Sequence, residues 1–249
     1  MTIGDHVILL VAGLVAGVIN SVSSGGSFFT YPAMLATGLT PLQAATSTLA
    51  ALTPSNLAAV PEYWPEVQAN RRRYPALLAT VVAGGALGIV LLFTTGADAF
   101  ADLVPWLILA STLLFAISPR VRIWANDRAR SLTDGRLGAV LIFVLAVYLT
   151  YFGSGVGNIM LAMLTIRGFG DFLSANAGKN IVMSVGTVMA TIAYTIAGYV
   201  QWEPVVPVLI GSAVGARWGS KVARSIPLPW LRWFVITFGL FVAGWQFTR

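Results

Sequence analysis

The sequence has few of the residues that enzymes and soluble domains use most. It contains no cysteine and a single histidine, and charged residues make up only 10% of its 249 positions. The lack of cysteine excludes disulfides, thiolate metal ligands and thiol nucleophiles. Soluble domains carry charge at about a quarter of their positions, whereas here hydrophobic residues reach 57% and the mean hydropathy is +0.81. The composition predicts an all-α integral membrane protein with several spans.

Apolar segments recur along the whole chain, and their lengths predict its helices. Most approach the ~20 residues that a helix needs to cross the hydrocarbon core of a membrane. Two segments, 27–37 and 156–166, are only about half that long. Each follows a break rich in glycine and serine, SSGGS at 23–27 and GSGVGN at 153–158. We expect both breaks to start short helices inside the membrane.

The chain also carries an internal duplication. Three motifs recur in the same order: Ala33-Met34-Leu35 as Ala162-Met163-Leu164, Gly84/Gly88 as Gly211/Gly215, and Pro105-Trp106-Leu107 as Pro229-Trp230-Leu231. The offsets decrease from 129 through 127 to 124 residues, as small loop deletions in one duplicated unit would produce. We therefore predict a first transmembrane repeat at 1–118, a cytoplasmic linker at 119–136 and a second transmembrane repeat at 137–249.

Charged loops predict how the two repeats face the membrane. The linker carries five arginines, and Arg71–Arg73 form another basic loop, so the positive-inside rule places both in the cytoplasm. The loop at 98–102 is acidic, but its counterpart before the last span is basic. This difference favours inverted repeats, each with a Gly/Ser-broken helical hairpin followed by three transmembrane helices. If each broken pair crosses the membrane only once, the chain has eight spans in parallel repeats instead.

Unwound backbone at matching positions of two membrane repeats indicates a substrate site. Helix N-termini there offer N–H groups and a positive dipole end, both of which suit an anion. Lys179 lies about eight positions into an apolar run, where a cation is costly unless it has a function. The predicted substrate-binding residues are Ser23, Ser24, Gly25, Gly26, Ser27, Thr46, Ser47, Thr48, Ser154, Gly155, Gly157, Asn158, Asn176, Lys179 and Asn180.

Each of these features also has a purely structural interpretation. Glycines in the breaks allow close helix packing, and serines there can bond to nearby backbone groups. The run Thr46–Thr48 can bond to carbonyls one turn earlier, and Lys179 can extend towards the membrane interface. No carboxylate lies deep in an apolar span, so the sequence provides no acidic proton relay. We predict no catalytic residue, no metal site and no cofactor.

The order of these motifs resembles the TauE/SafE sulfite exporter family, also known as sulfonate-uptake permeases, over essentially the whole chain. The resemblance rests on Gly13 and Gly17 before SSGGS, the run A-T-S-T at 45–48, the pair Gly84/Gly88, the weaker copy at 153–178, and G-S-A-V-G-A-R from Gly211. It implies a secondary transporter that exports sulfite or a small organosulfonate, with some members moving other small anions. Asn158 and Lys179 depart from the glycine-rich form of the motif.

We therefore expect a transporter of the inner cell membrane whose partners are the lipid bilayer and a small anion, bound near the midplane and moved by alternating access. A carboxylate or another oxyanion is an alternative cargo, and a scaffold subunit without transport activity is a further alternative. An enzyme is disfavoured because the sequence has no H-E-x-x-H motif and no paired carboxylates at depth. The net charge of +6 comes from loops between spans and does not indicate nucleic acid binding.

Overall fold

A computed structural model describes residues 1–22, 25–128, 135–169, 171–222 and 228–248. Helices joined by short turns make up this part of the chain, which contains no strand, so the predicted all-α class is confirmed. In chain order the α-helices are α1 (Ile3–Val22), α2 (Ser27–Ala36), α3 (Pro41–Ala59), α4 (Trp64–Ala69), α5 (Tyr74–Thr95), α6 (Ala97–Arg128), α7 (Gly135–Tyr151), α8 (Gly157–Ile166), α9 (Phe172–Ile196), α10 (Trp202–Val222) and α11 (Leu228–Phe247).

The two half-length helices are confirmed. Helices α2 and α8 have 10 residues each, about 15 Å at 1.5 Å per residue, or half of the hydrocarbon core. By length and composition, the stretches Ile3–Asn20, Tyr74–Thr95 and Ala97–Arg120 are long and apolar enough to cross a membrane. Shorter apolar helices lie at Arg136–Tyr151 and Trp233–Phe247. These helices support an integral membrane protein.

Local sequence explains where two of the long helices begin. The Thr40 hydroxyl accepts the Gln43 N–H at 3.3 Å while the Gln43 side chain accepts the Thr40 N–H at 3.2 Å, and Pro41 follows at the first position of α3. Asp171 caps α9 by accepting the Ser174 N–H at 2.9 Å. This hydrogen bond stabilises the charged carboxylate and lowers the pKa of Asp171 below its usual range.

Helix α6 extends further than the predicted boundaries suggest. It continues through Pro105 and Pro119 to Arg128, so the linker predicted at 119–136 begins as part of a helix. A proline inside a helix removes one backbone hydrogen bond and bends the helix without necessarily ending it. Residues 129–134 of the predicted linker lie outside the described residues.

Each repeat contributes one helix to a tightly packed parallel pair. Helices α1 and α10 are in extensive contact. A Cβ atom added at Gly13 would meet the Val208 carbonyl oxygen, and one added at Gly17 would meet that of Ser212. The two backbones therefore pass too close for any side chain at these glycines. Because the contacting residue numbers rise together, the two helices run in the same direction.

A second pair, which also takes one helix from each half of the duplication, packs in the same way. Helices α5 and α7 are in contact, and a Cβ atom at Gly84 would lie 2.6 Å from the Phe143 carbonyl oxygen. A Cβ atom at Gly88 would meet the Val147 carbonyl. These helices are also parallel. In the predicted duplication α1 corresponds to α7, and α10 corresponds to α5. The pair α1 with α10 is therefore the counterpart of the pair α7 with α5.

Helices α3 and α9, which hold matching positions in the two predicted repeats, run antiparallel. The Thr46 hydroxyl lies 2.9 Å from the Tyr199 carbonyl oxygen just beyond α9, whereas the Thr53 hydroxyl lies 3.1 Å from that of Thr191. As the residue number rises along α3, it falls along α9. The start of α3 therefore lies beside the end of α9.

Helices α6 and α11, which also hold matching positions in the two predicted repeats, are antiparallel as well. The Trp106 and Phe247 rings meet edge to face with centroids 5.0 Å apart. Further along, a Cβ atom added at Gly239 would lie 3.1 Å from the Thr112 methyl group. Both of these pairs of matching helices, α3 with α9 and α6 with α11, are therefore antiparallel.

Basic residues gather at one end of the bundle, which we name the basic end. The Arg73 guanidinium donates to the Arg167 carbonyl at 3.3 Å and lies 5.8 Å from the centroid of the Phe169 ring. The Arg167 side chain in turn contacts Gly138, near the start of α7. The starts of α5, α7 and α9 therefore meet here. The opposite end carries Glu203, at the start of α10.

Candidate substrate-binding site

An asparagine of α1 holds the backbone of the first break. The Asn20 side-chain oxygen accepts the N–H groups of Gly25 at 3.1 Å and of Gly26 at 2.8 Å. Both glycines and Ser27, the first residue of α2, are buried. Two of the backbone donors that we expected to face an anion are thus already bonded to protein. The sequence analysis did not identify Asn20, because it precedes the break by several positions.

The second break owes its shape to two glycines in the left-handed region. Gly153 has φ +81° and Gly155 has φ +71°, values that other residues rarely adopt. Ser154, between them, is buried with 4% of its surface exposed. Helix α8 then starts at Gly157, and the preceding residue, Val156, provides no side-chain cap.

The two breaks meet at one small cavity. Its lining residues are Ser27, Phe28, Tyr31, Ile108, Phe152, Ser154 and Val242. Ile108 lies about halfway along the apolar stretch Ala97–Arg120, so the cavity is near the middle of that span. Ser27 and Phe28 form the first turn of α2, whose positive dipole end therefore lies at the cavity. The cavity has room for about one water molecule.

Tyr31 contributes a polar group that the sequence analysis missed. Its side chain is 3% exposed, and its ring packs edge to face against Phe152 with centroids 5.9 Å apart. Its hydroxyl oxygen is buried and has no hydrogen-bond partner among the described residues. Leaving a buried hydroxyl unsatisfied costs about 1–3 kcal/mol. In sequence only its place one turn after Ser27 marks this tyrosine.

The hydroxyl run on α3 bonds away from the cavity. Thr46 donates to the carbonyl one turn earlier at 2.9 Å and also lies 2.9 Å from the Tyr199 carbonyl. The Ser47 hydroxyl accepts the Gln201 N–H at 2.9 Å, and the Thr48 hydroxyl lies 3.5 Å from a methionine sulfur. The bonds of Thr46 and Ser47 join the start of α3 to the turn after α9, whereas Thr48 contacts α2. None of the three residues lines the cavity.

The polar residues of α9 lie nearer the basic end. Lys179 is about 10 Å along the helix from Phe172, and its side chain is half-buried. No carboxylate of the described residues lies within ion-pair distance of it. Asn176 is half-buried one turn earlier, and Asn180 is 5% exposed. The structure does not bring these three residues to the cavity that Ser27 lines.

The remaining predicted residues divide between the second break and the unassigned part of the first. Gly155 and Gly157 are buried within the second break, and Asn158 is half-buried in the first turn of α8. Ser23 and Ser24 lie outside the described residues.

The sequence also matches a known family. A family model described as "Sulfite exporter TauE/SafE" matches residues 9–245. The chain belongs to this family. The resemblance inferred from the order of the motifs is therefore confirmed.

Relatives of this TauE/SafE family member are named as transporters. It is 31% identical to a probable membrane transporter protein of Haemophilus influenzae over 220 residues, which cover 88% of this chain and 85% of the relative. It is 30% identical to the probable membrane transporter protein ORF9 of Sinorhizobium sp, over 87% of this chain and 82% of the relative. Identity to the probable membrane transporter protein YfcA of Escherichia coli K12 is 26%, over 88% and 80%. No solved structure matches the chain.

Proposed function

We propose that the chain is a multi-pass transporter of the inner cell membrane that exports sulfite or a small organosulfonate by alternating access. The observation that carries this proposal is the meeting of the two breaks, where Ser27 and Ser154 line one cavity midway along a membrane-length helix. The family description names sulfite exporters, which supports the substrate class. The cavity lies between elements of both repeats, as a site that opens to each side in turn requires.

The proposed mechanism uses inverted repeats. What supports inversion is that matching helices, α3 with α9 and α6 with α11, run antiparallel, while α1 and α5 each pair in parallel with a helix of the other repeat. Two copies related in this way can exchange conformations, so that the cavity opens first to the basic end and then to the opposite end. We infer a hairpin from each break and not a single kinked span.

An anion needs replacements for its hydration shell at the cavity. The first turn of α2 has its positive dipole end there, and Ser27 and Ser154, which line the cavity, are hydroxyl-bearing residues. Lys179, nearer the basic end, attracts anions before they reach the cavity. A singly charged anion that leaves a cell with a negative interior moves downhill by about 2.3 kcal/mol per 100 mV. We therefore propose potential-driven export without a coupling ion.

A flux assay in proteoliposomes tests the function. Vesicles loaded with sulfite receive a potassium diffusion potential, negative inside, with no proton or sodium gradient. We expect sulfite efflux that rises with the potential and that methanesulfonate inhibits more strongly than acetate or sulfate does. Efflux that occurs only with an imposed proton or sodium gradient would contradict uncoupled export. Stronger inhibition by acetate would indicate a carboxylate as the natural cargo, and the absence of any flux would indicate a scaffold.

A matched pair of serine variants tests the site. Replacing Ser27 and Ser154 together by alanine removes the two hydroxyl-bearing side chains that line the cavity from the two breaks, and we expect sulfite efflux to fall at least tenfold. Ser55→Ala is the control, because the Ser55 hydroxyl donates to the Leu52 carbonyl of its own helix at 2.7 Å. Equal efflux from the double variant and the control would place the site elsewhere.

A further inference from the structure

We propose that the Tyr31 hydroxyl donates a hydrogen bond to the transported anion, and that its cavity accepts singly charged oxoanions in preference to doubly charged ones. This inference rests on the proposed function, and it names a binding residue and a charge class that the sequence analysis did not provide. It concerns the same cavity, between the first turn of α2 and the second break.

Within the described part of the chain, the Tyr31 hydroxyl is an unsatisfied donor at the cavity. Two other tyrosine hydroxyls of the bundle donate to backbone carbonyls, the buried Tyr194 to Thr150 at 2.7 Å and the partly buried Tyr148 to Leu107 at 3.0 Å. Among the described residues the Tyr31 and Tyr74 hydroxyls are buried without such a partner, and of these two only Tyr31, 97% buried, lines the cavity. At the cavity this hydroxyl is a donor that a bound anion can use, whereas phenylalanine would fill the same space without the desolvation cost.

The position of Tyr31 on α2 places it near the other residues that line the cavity. Tyr31 follows Ser27 by four residues, so the two side chains lie on one face of α2, one turn apart. Ser154 lies on the same cavity from the other break. An anion held at the N-terminus of α2 is therefore within reach of donors from both repeats. The first turn of the helix provides its dipole, and Tyr31 provides an O–H group one turn further along.

The charge preference follows from what lines the cavity. The lining side chains are hydroxyl-bearing, aromatic or aliphatic, and none of them carries a charge. The desolvation cost of an ion rises with the square of its charge, so a dianion costs about four times as much to bury as a monoanion of equal size. Hydroxyl groups and one helix dipole provide only partial positive charges. This combination suits a sulfonate or hydrogensulfite better than sulfate.

The small volume of the cavity means that anion binding requires a conformational change. In the described conformation it has room for about one water molecule, less than an oxoanion needs. The helices around it must move apart when the anion binds. Tyr31 lies on the half-length helix α2, so its hydroxyl moves together with the N-terminus of that helix.

Competition and a tyrosine pair test the inference. Methanesulfonate and sulfate have nearly the same shape but carry one and two charges, and each competes with labelled sulfite for transport by wild-type protein. We expect methanesulfonate to inhibit at concentrations at least tenfold lower than sulfate. In Tyr31→Phe we expect the KM for sulfite to rise about 10- to 100-fold, the effect of losing one hydrogen bond to a charged group, with little change in the maximal rate.

Tyr194→Phe is the matched control, since it removes a buried hydroxyl bonded to protein and not facing the cavity. We expect its KM to stay within about twofold of wild type, and Tyr31→Phe to melt no lower than wild type. An unchanged KM in Tyr31→Phe, an equal rise in Tyr194→Phe, or stronger inhibition by sulfate would each overturn the inference while leaving transport intact. If wild-type protein carried none of these anions, the proposed function would fail and this inference with it.

Discussion

The close packing of α1 against α10 gives the sharpest prediction for stability. A Cβ atom at Gly17 would meet the Ser212 carbonyl oxygen and would lie 2.7 Å from the Ala216 nitrogen. Both are backbone atoms of a helix and cannot rotate away as a side chain can. The single methyl group of Gly17→Ala therefore forces the two helices apart.

Two opposing terms set the size of the effect. Replacing glycine by alanine inside a helix stabilises it by about 1 kcal/mol, whereas overpacking a close contact costs about 1–3 kcal/mol. Because the contact here is with backbone, we expect the upper part of that range and a net loss of about 1–2 kcal/mol. For a chain of this size each kcal/mol changes the Tm by about 2–4 °C, so the Tm should fall by about 2–8 °C.

Thermal unfolding of the purified protein in detergent, followed by tryptophan fluorescence, measures this change. Gly244→Ala is the control, because no atom outside its own helix lies within 4 Å of a Cβ added at Gly244 in α11. It should gain up to about 1 kcal/mol from helix propensity alone. If Gly17→Ala melts as high as Gly244→Ala, the two backbones do not pack as closely as described, and the reasoning fails.

Four further variants test separate parts of the structure. Tyr194→Phe should lose about 1–3 kcal/mol in thermal unfolding, because a buried carbonyl then loses its donor. Thr46→Val should lower the Tm but leave sulfite affinity unchanged, since the Thr46 hydroxyl bonds to backbone carbonyls. Weaker sulfite binding would show that Thr46 belongs to the binding site. Lys179→Ala should weaken anion binding to purified protein, and unchanged affinity for every anion would make this lysine structural. Asp171→Ala should lower the Tm at neutral pH. That difference should shrink as the pH falls through the lowered pKa of Asp171, where the wild-type cap becomes protonated.

Much of the fold could be predicted because membrane spans are coded in local composition. The half-length helices α2 and α8 follow from short apolar runs after glycine-serine breaks, and both were predicted within one residue at each end. The extension of α6 to Arg128 could not be predicted in this way. Arginine-rich sequence with an internal proline has the composition of a loop, yet it continues a helix that is already nucleated.

The site was less predictable because partners decide what a polar group does. Ser27 and Ser154 were predicted from the breaks and line the same cavity. Thr46 and Ser47 have the same chemistry, but their hydroxyls bond to the backbone at Tyr199 and Gln201. A sequence does not reveal which hydroxyl finds a carbonyl. Tyr31 stands out because its hydroxyl finds no partner among the described residues and its side chain lines the cavity.

The duplication does not extend to the side chains at the cavity, and this difference has a consequence for transport. At the offset of 129 residues, Met160 corresponds to Tyr31 and Val156 to Ser27, and both counterparts are fully buried apolar residues. Two inverted copies with identical side chains would give inward-open and outward-open states of equal energy. Here the donors of the cavity come mostly from the first predicted repeat, so under the proposed alternating access the two states would place them in different surroundings. An anion that binds Tyr31, as we propose, would then stabilise the two states unequally, and its binding would shift the equilibrium between them.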